Sequence, residues 1–139
     1  MSAPERDIQA AIERFFHAMD TQNYDLMAHL IAHDAEMEHI GTDVGEIWRG
    51  WDELRRATEE QFASLRYYKA TIRELSIHFS RSGDVAWYSH LLDARIQSDG
   101  PEVVWRGARF TGVFEQREGR WKMVQSHVSL PESAGSTPD

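Results

Sequence analysis

The chain has 139 residues, 41% hydrophobic and 27% charged, which is the composition of one globular domain rather than of a disordered chain. Its 15 basic and 23 acidic side chains give a formal net charge of −8, which argues against nucleic-acid binding because phosphate backbones require a basic surface. It contains no cysteine, no apolar run long enough to span a membrane, and no basic and apolar leader at its start. We therefore expect a cytoplasmic protein that binds neither nucleic acid nor membrane.

The first half of the chain predicts three helices and two short strands. Ser2 and Glu5 have the spacing of a capping box, and an apolar series at helical spacing runs from Ile8 to Met19. The other elements predicted here are a shorter helix over residues 24–33, short strands over 35–40 and 46–50, and a third helix over 51–65.

The second half of the chain predicts four long strands. The apolar period changes to two after residue 66, and the runs 67–79, 85–97, 103–116 and 121–129 are joined by short turns that contain glycine. Helices followed by an antiparallel sheet define an α+β domain. We expect residues 1–131 to form one domain, in which three helices pack on a curved antiparallel sheet and leave a pocket at its open end. The small polar residues 132–139 predict a disordered tail.

The alternation of each long strand assigns its side chains to two faces. The residues assigned inward that could meet a ligand are Tyr88, His90, Arg106, Phe110, Phe114, Gln125, His127 and Ser129. Gly112 is expected to leave room between the two phenylalanines. A bulge at Gly107 would exchange the faces of Arg106 and Arg109. The apolar residues assigned outward are Trp87, Leu91, Trp105, Val113, Val124 and Val128, and they predict a homodimer through the convex face.

Two histidines are the candidate catalytic residues. His127 shares its face with Gln125 and Ser129 and is interpreted either as a base or polar anchor, or as a histidine satisfied by backbone groups. His90 lies two residues from Tyr88 and is either a second pocket base or a core histidine.

Further candidate binding residues lie on the short strands and on the strand that follows residue 102. Glu38 and His39 point to opposite faces, so at most one lines the pocket. Trp48 and Trp51 would form an aromatic wall or plug the core at the start of a helix, and Arg106 could bind a ligand carboxylate.

The pairing of His29 and His33 has metal-ligand spacing, but the sequence around them has no companion ligand motif. A solvated helix face is the better interpretation. We predict no metal and no cofactor.

The order of elements and several motifs resemble the SnoaL-like branch of the NTF2-like superfamily. The chain ends in G-x-W-x-x-V-x-x-H-x-S-x-P over residues 119–131, and the run R-F-T-G-V-F over 109–114 is similar to one common in that branch. The calcium/calmodulin-dependent kinase association domain has a similar ending.

The resemblance implies a cone-shaped barrel with a ligand-sized pocket, usually dimeric. The aromatic and histidine residues assigned to that pocket lead us to expect a largely apolar or aromatic small-molecule ligand with one polar or acidic end. The alternatives are a cofactor-free isomerase, cyclase or dehydratase of the ketosteroid isomerase type, and a non-catalytic oligomerisation module. A fold of this kind does not choose between them.

Overall fold

A computed structural model describes residues 1–132 and shows three helices packed on one six-stranded sheet. In chain order the elements are α1 (Ala3–Thr21), α2 (Tyr24–Leu30), β1 (Glu38–Ile40), β2 (Ile47–Arg49), α3 (Trp51–Ser64), β3 (Tyr67–Phe79), β4 (Val85–Gln97), β5 (Val103–Arg117) and β6 (Arg120–Ser129). The cone-like α+β fold predicted from the sequence is confirmed.

The helices begin where capping residues allow them to begin. Ser2 accepts a hydrogen bond from the Glu5 amide at 3.2 Å, and the Glu5 carboxylate accepts one from the Ser2 amide at 3.3 Å, so the predicted capping box is present. Asn23 caps α2 by accepting from the Leu26 amide at 3.1 Å. The second helix ends at Leu30, earlier than the apolar spacing indicated.

The sheet has the strand order β2-β1-β6-β5-β4-β3. The four long strands pair antiparallel, as predicted, but β1 lies parallel to β6. This parallel pair adds β1 and β2 to the sheet and sets His39 opposite Ser126. Strand alternation cannot reveal such a pairing, because it carries no information about which strands are neighbours.

A bulge in β5 changes the faces at the start of that strand. Gly107 has a φ of 68°, and its amide donates a 2.9 Å hydrogen bond to the Asp93 carboxylate. The extra residue turns Trp105 inward, opposite Ala94, and leaves Arg106 exposed on the outer face. The predicted inward position of Arg106 and outward position of Trp105 were therefore wrong.

A second bulge lies in β6. The pairing with β5 skips Val124, so β6 carries one extra residue there. Met123 points inward before this bulge, and Ser126 and Val128 point inward after it, with 0% and 4% of their surfaces exposed. His127 consequently lies exposed on the outer face, and its predicted inward position was wrong. The same shift moves Gln125 and Ser129 to the outer face.

The core fills the space between the helices and the concave face of the sheet. Its largest fully buried apolar side chains are Phe114, Ile8, Ile12, Met27, Met37, Leu92 and Met123. The predicted alternation of β4 is confirmed, since its even-numbered residues from Ala86 to Ala94 are buried.

The space above Gly112 is filled by Tyr88. A Cβ atom at Gly112 would lie 2.6 Å from Tyr88 Cζ, closer than real Cβ contacts come. The glycine therefore makes room for a core tyrosine, and the expectation that it opens a cavity was wrong.

The outer face of the sheet carries a smaller apolar patch than predicted. Trp87 is 46% exposed and stacks on His78 at a ring-centroid distance of 5.8 Å, and Leu91 and Val113 are half-buried beside the same strands. The two bulges remove Trp105 and Val128 from this face.

Every helix in residues 1–132 is too short or too polar to cross a membrane. Apart from Glu132, the tail predicted over residues 132–139 lies outside the described residues.

Candidate functional site

A cavity lies between the helices and the concave face of the sheet. It has a wide mouth of about 610 Å³ and a deep chamber of about 60 Å³, and six residues line both parts. These shared residues are Phe15, Met19, His39, Trp48, Ala57 and Gln61. A cavity of this size suits a small organic molecule.

The wall of the cavity is mainly aromatic. Trp48 from β2, Phe110 and Trp105 from β5, and Phe15 from α1 all line the mouth. These side chains come from three elements of the chain, and the inward turn of Trp105 depends on the bulge at Gly107. The site therefore offers flat apolar surfaces on several sides.

His39 is the imidazole that reaches this cavity. Its Nδ1 lies 2.5 Å from the hydroxyl oxygen of Ser126, and its ring stacks on Trp48 at a centroid distance of 5.7 Å and an angle of 6°. No protein group in residues 1–132 hydrogen-bonds its Nε2. The ring is thus held in place through Nδ1, and Nε2 is free to hydrogen-bond a ligand.

Burial lowers the pKa of His39 to about 4, because the charged imidazolium loses its hydration, and the nearby His127 adds a smaller repulsion. At neutral pH the ring is therefore neutral. If Ser126 donates to Nδ1, then Nε2 carries a proton and donates, whereas a protonated Nδ1 leaves Nε2 as an acceptor. The first tautomer can donate to a carbonyl or hydroxyl oxygen, and the second can accept from a hydroxyl group.

Ser126 owes its place to the bulge at Val124. It is fully buried and faces His39 across the parallel pair of β1 and β6. A buried serine that touches one imidazole nitrogen acts to position that ring. Thr58 from α3 is the other buried hydroxyl of the deep chamber.

His90 lies inside the core and does not line the cavity. Its ring is stacked between Tyr88 and Phe110 at centroid distances of 5.9 and 5.3 Å, and it meets the edge of Phe16. Nδ1 donates to the Leu91 carbonyl oxygen at 3.0 Å, so Nε2 is an acceptor, and within residues 1–132 it is buried without a partner. Burial lowers the pKa of His90, which keeps the ring neutral.

The structure separates the predicted site residues into three groups. His39, Trp48 and Phe110 line the cavity. The buried core behind it holds His90, Tyr88 and Phe114. The residues that face away from the cavity are His127, Glu38, Trp51, Arg106, Gln125 and Ser129.

Two of the outer residues have partners of their own. Glu38 forms a 3.0 Å ion pair with Arg49 across the β1–β2 hairpin. Trp51 stacks on His33 at 4.0 Å, at the start of α3. The aromatic wall predicted from Trp48 and Trp51 therefore contains Trp48 alone.

Several cavity residues were missed in the sequence. Phe15 and Met19 belong to the apolar face assigned to α1, but nothing distinguished them from core residues. Ser126 gave no signal, since its inward position depends on a bulge without glycine. Trp105 could have been found by taking Gly107 as a bulge. The described residues contain no cluster of three or more potential metal ligands.

Comparison with known proteins agrees with this fold. The model of the SnoaL-like domain family matches residues 8–133, and no curated protein sequence matches the chain. Among solved structures, an NTF2-like superfamily protein from Salmonella enterica serovar Typhimurium superposes with a TM-score of 0.81 at 17% identity, covering 98% of this chain and 96% of that one.

Two further structures carry more specific names. A putative dehydratase of the NTF2-like family from Streptomyces avermitilis has a TM-score of 0.80 at 18% identity, with 91% and 94% coverage of the two chains. A putative calcium/calmodulin-dependent protein kinase II association domain from Xanthomonas campestris has a TM-score of 0.75 at 20% identity, with 91% and 86% coverage. At these identities the likeness shows the fold alone.

Proposed function

The chain belongs to the SnoaL-like domain family, and from this premise we propose that it binds a small, largely apolar or aromatic molecule with one polar end. The observation that carries the proposal is the cavity itself, where aromatic walls surround the hydrogen-bonding edge of His39. The apolar part of the ligand would fill the mouth against Trp48, Trp105 and Phe110. Its oxygen would meet His39 Nε2.

The polar groups at the deep end favour an uncharged oxygen function over an acid. The sequence suggested Arg106 as a carboxylate anchor, but this side chain lies outside the cavity. The free nitrogen of a neutral imidazole can donate one hydrogen bond to a ketone or alcohol oxygen, or accept one from an alcohol. We therefore choose aromatic cyclic ketones as the first ligands to test.

The experiment is a calorimetric titration with 1-tetralone. Ala57 lines both parts of the cavity, so Ala57→Phe should fill it and abolish binding. Ala63→Phe is the matched control, because Ala63 is exposed on the same helix. Equal binding by the two variants would contradict the proposed site, and absence of binding by the parent protein would contradict the ligand class.

A second candidate function is acid–base catalysis, as in a dehydratase or isomerase. The observation that favours it is the Ser126–His39 pair, which presents one imidazole nitrogen to the cavity. One related fold is named a putative dehydratase. The carboxylate base of the ketosteroid isomerase type has no counterpart in the described lining of the deep chamber, so the base here would be His39.

This candidate is tested by proton exchange in a bound ketone. The base would remove a proton from the carbon next to the carbonyl of 1-tetralone, an enolate would form, and a deuteron from D₂O would return to that carbon. NMR should show exchange above the buffer rate, lost in His39→Gln and retained in His127→Gln. Exchange at the buffer rate in the parent protein would leave binding as the function.

We also propose that the protein forms a homodimer through the outer face of the sheet, as expected from the sequence. The support is the exposed ring of Trp87 beside Leu91 and Val113. Sedimentation should show a dimer that Trp87→Glu dissociates, while Ile47→Glu, at a site of similar exposure on β2, leaves it intact. A parent protein that stays monomeric would also remove the non-catalytic oligomerisation alternative. The cytoplasmic location stays a prediction.

A further inference from the structure

The charged side chains that line the mouth of the cavity are all acidic. Asp43 and Glu46 from the β1–β2 connection and Glu60 from α3 line it. Within residues 1–132 no lysine or arginine lines either part of the cavity, and none of these three carboxylates forms an ion pair.

Neighbouring carboxylates outside the cavity do have basic partners. Arg49 pairs with Glu38 at 3.0 Å, and Arg55 pairs with Glu59 at 2.7 Å. The acidic groups of the mouth thus differ from Glu38 and Glu59, because their charge has no counter-ion among the described residues.

The connection between β1 and β2 fixes two of these carboxylates. Glu46 accepts a 2.9 Å hydrogen bond from the Asp43 amide, and Asp43 accepts one of 2.7 Å from the Val44 amide. Each of these contacts leaves carboxylate lone pairs free, since an ionised carboxylate has about four acceptor sites. The rim is therefore acidic and locally ordered.

The aromatic walls act in the same direction. The aromatic residues Trp105, Phe110 and Tyr68 line the mouth, and aromatic rings attract cations through their quadrupoles. His39 adds no positive charge at neutral pH, because burial lowers its pKa to about 4. The carboxylates at the rim and the aromatic residues of the wall both favour a positive ligand, and the carboxylates disfavour a negative one.

We propose that the ligand is an aromatic molecule bearing a positively charged amine, and that aromatic carboxylates are excluded. This inference rests on the proposed function, because it assumes that the cavity binds a small molecule. The ring would lie between Trp48, Trp105 and Phe110, and the ammonium group would face the carboxylates of the mouth. An oxygen elsewhere on the ligand could still reach His39.

The experiment uses three probes with one bicyclic ring and different charges. The cation is 2-naphthylmethylamine, the neutral probe is 2-naphthylmethanol and the anion is 2-naphthoate. Calorimetry at pH 7 and low salt should give an amine Kd at least tenfold below that of the carboxylate, with the alcohol between them. The preference for the amine over the carboxylate should decrease at 1 M salt, because the Debye length is then only about 3 Å.

The variant that tests the assignment is Glu60→Gln, with Glu59→Gln as its matched control. Both remove one negative charge from adjacent positions of α3, but Glu59 is paired with Arg55 and does not line the cavity. Amine affinity should fall about threefold or more in Glu60→Gln and stay within twofold of the parent in Glu59→Gln. Affinity for the alcohol should not change in either variant.

The outcomes separate this inference from the proposed function. If the alcohol and the carboxylate bind as tightly as the amine, or if the two variants behave alike, the charge preference is wrong and the binding function stands. If no probe binds to the parent protein, the proposed function fails with it.

Discussion

His39 and His90 are two inward-facing histidines whose environments differ. Burial lowers the pKa of both and keeps both rings neutral. His39 has one nitrogen on Ser126 and meets the cavity, whereas His90 is enclosed by Tyr88 and Phe110 and leaves Nε2 without a partner. A lowered pKa therefore does not distinguish the candidate binding histidine from the core histidine. The two are distinguished by position, because only the His39 ring lines the cavity.

The largest expected effect lies at His90. His90→Ala removes a ring packed between two others, and we expect it to lower the free energy of unfolding by about 3 kcal/mol. His90→Phe keeps an aromatic ring there and removes the unpaired nitrogen, so it should stay within about 1 kcal/mol of the parent. Chemical denaturation measures both. An equal loss in the two variants would show that the imidazole has a polar role in the core.

The second prediction concerns the pH dependence that His39 contributes. In the unfolded chain its pKa is near the ordinary 6.5, and in the folded protein it is about 4. Between these values the unfolded chain binds more protons, so the contribution is complete above pH 6.5 and is lost as the pH falls towards 4. The full contribution is about 3 kcal/mol.

The measurement is the free energy of unfolding at pH 7 and at pH 4.5 for the parent and for His39→Gln. The variant should lose less stability than the parent on acidification. Ser129→Ala, which removes no titratable group from the outer face of β6, is the control and should follow the parent. A variant curve parallel to the parent curve would mean that His39 titrates normally.

The third prediction tests the positioning role of Ser126. Ser126→Ala leaves Nδ1 of His39 without its partner in a buried place, which should cost about 1–2 kcal/mol of unfolding free energy. Ser129→Ala, on the outer face of the same strand, should cost less than about 0.5 kcal/mol. A larger effect at Ser129 than at Ser126 would restore the face assignment made from strict alternation.

The smallest expected effect lies at His127. His127→Ala should change the free energy of unfolding by less than about 0.5 kcal/mol, because its side chain is exposed on the outer face. Calorimetry should show that the His127→Ala variant binds 1-tetralone with the same affinity as the parent protein. A loss of binding would place His127 in the cavity and remove the contrast with His39.

The fold was largely predictable because each helix and most strands are specified by patterns of residues that are close in the sequence. The capping box at Ser2, the helical spacing of α1 and the change of period near residue 66 each follow from nearby residues. The faces of β4 were also predictable, since no bulge interrupts its regular alternation among the buried residues from Ala86 to Leu92. These features depend on short-range chemistry.

The candidate site was predicted only in part, because its residues depend on register. Because of the bulge at Val124, Ser126 faces inward instead of His127. Because of the bulge at Gly107, Trp105 faces inward instead of Arg106. Gly107 indicated a possible bulge in the sequence, because glycine readily adopts a positive φ, but Val124 gave no such indication. The parallel pair that joins His39 to Ser126 is a long-range contact and left no local trace.

The β1–β2 hairpin has a consequence for how such a protein can change. Residues 38–49 supply His39, Trp48, Asp43 and Glu46 to the cavity, while the long strands and α1 supply most of the buried core. Most of the residues proposed to select the ligand's charge therefore lie outside the segments that supply most of the buried core. Exchange of this twelve-codon segment between relatives is a route by which a new specificity could arise while the rest of the scaffold is inherited unchanged.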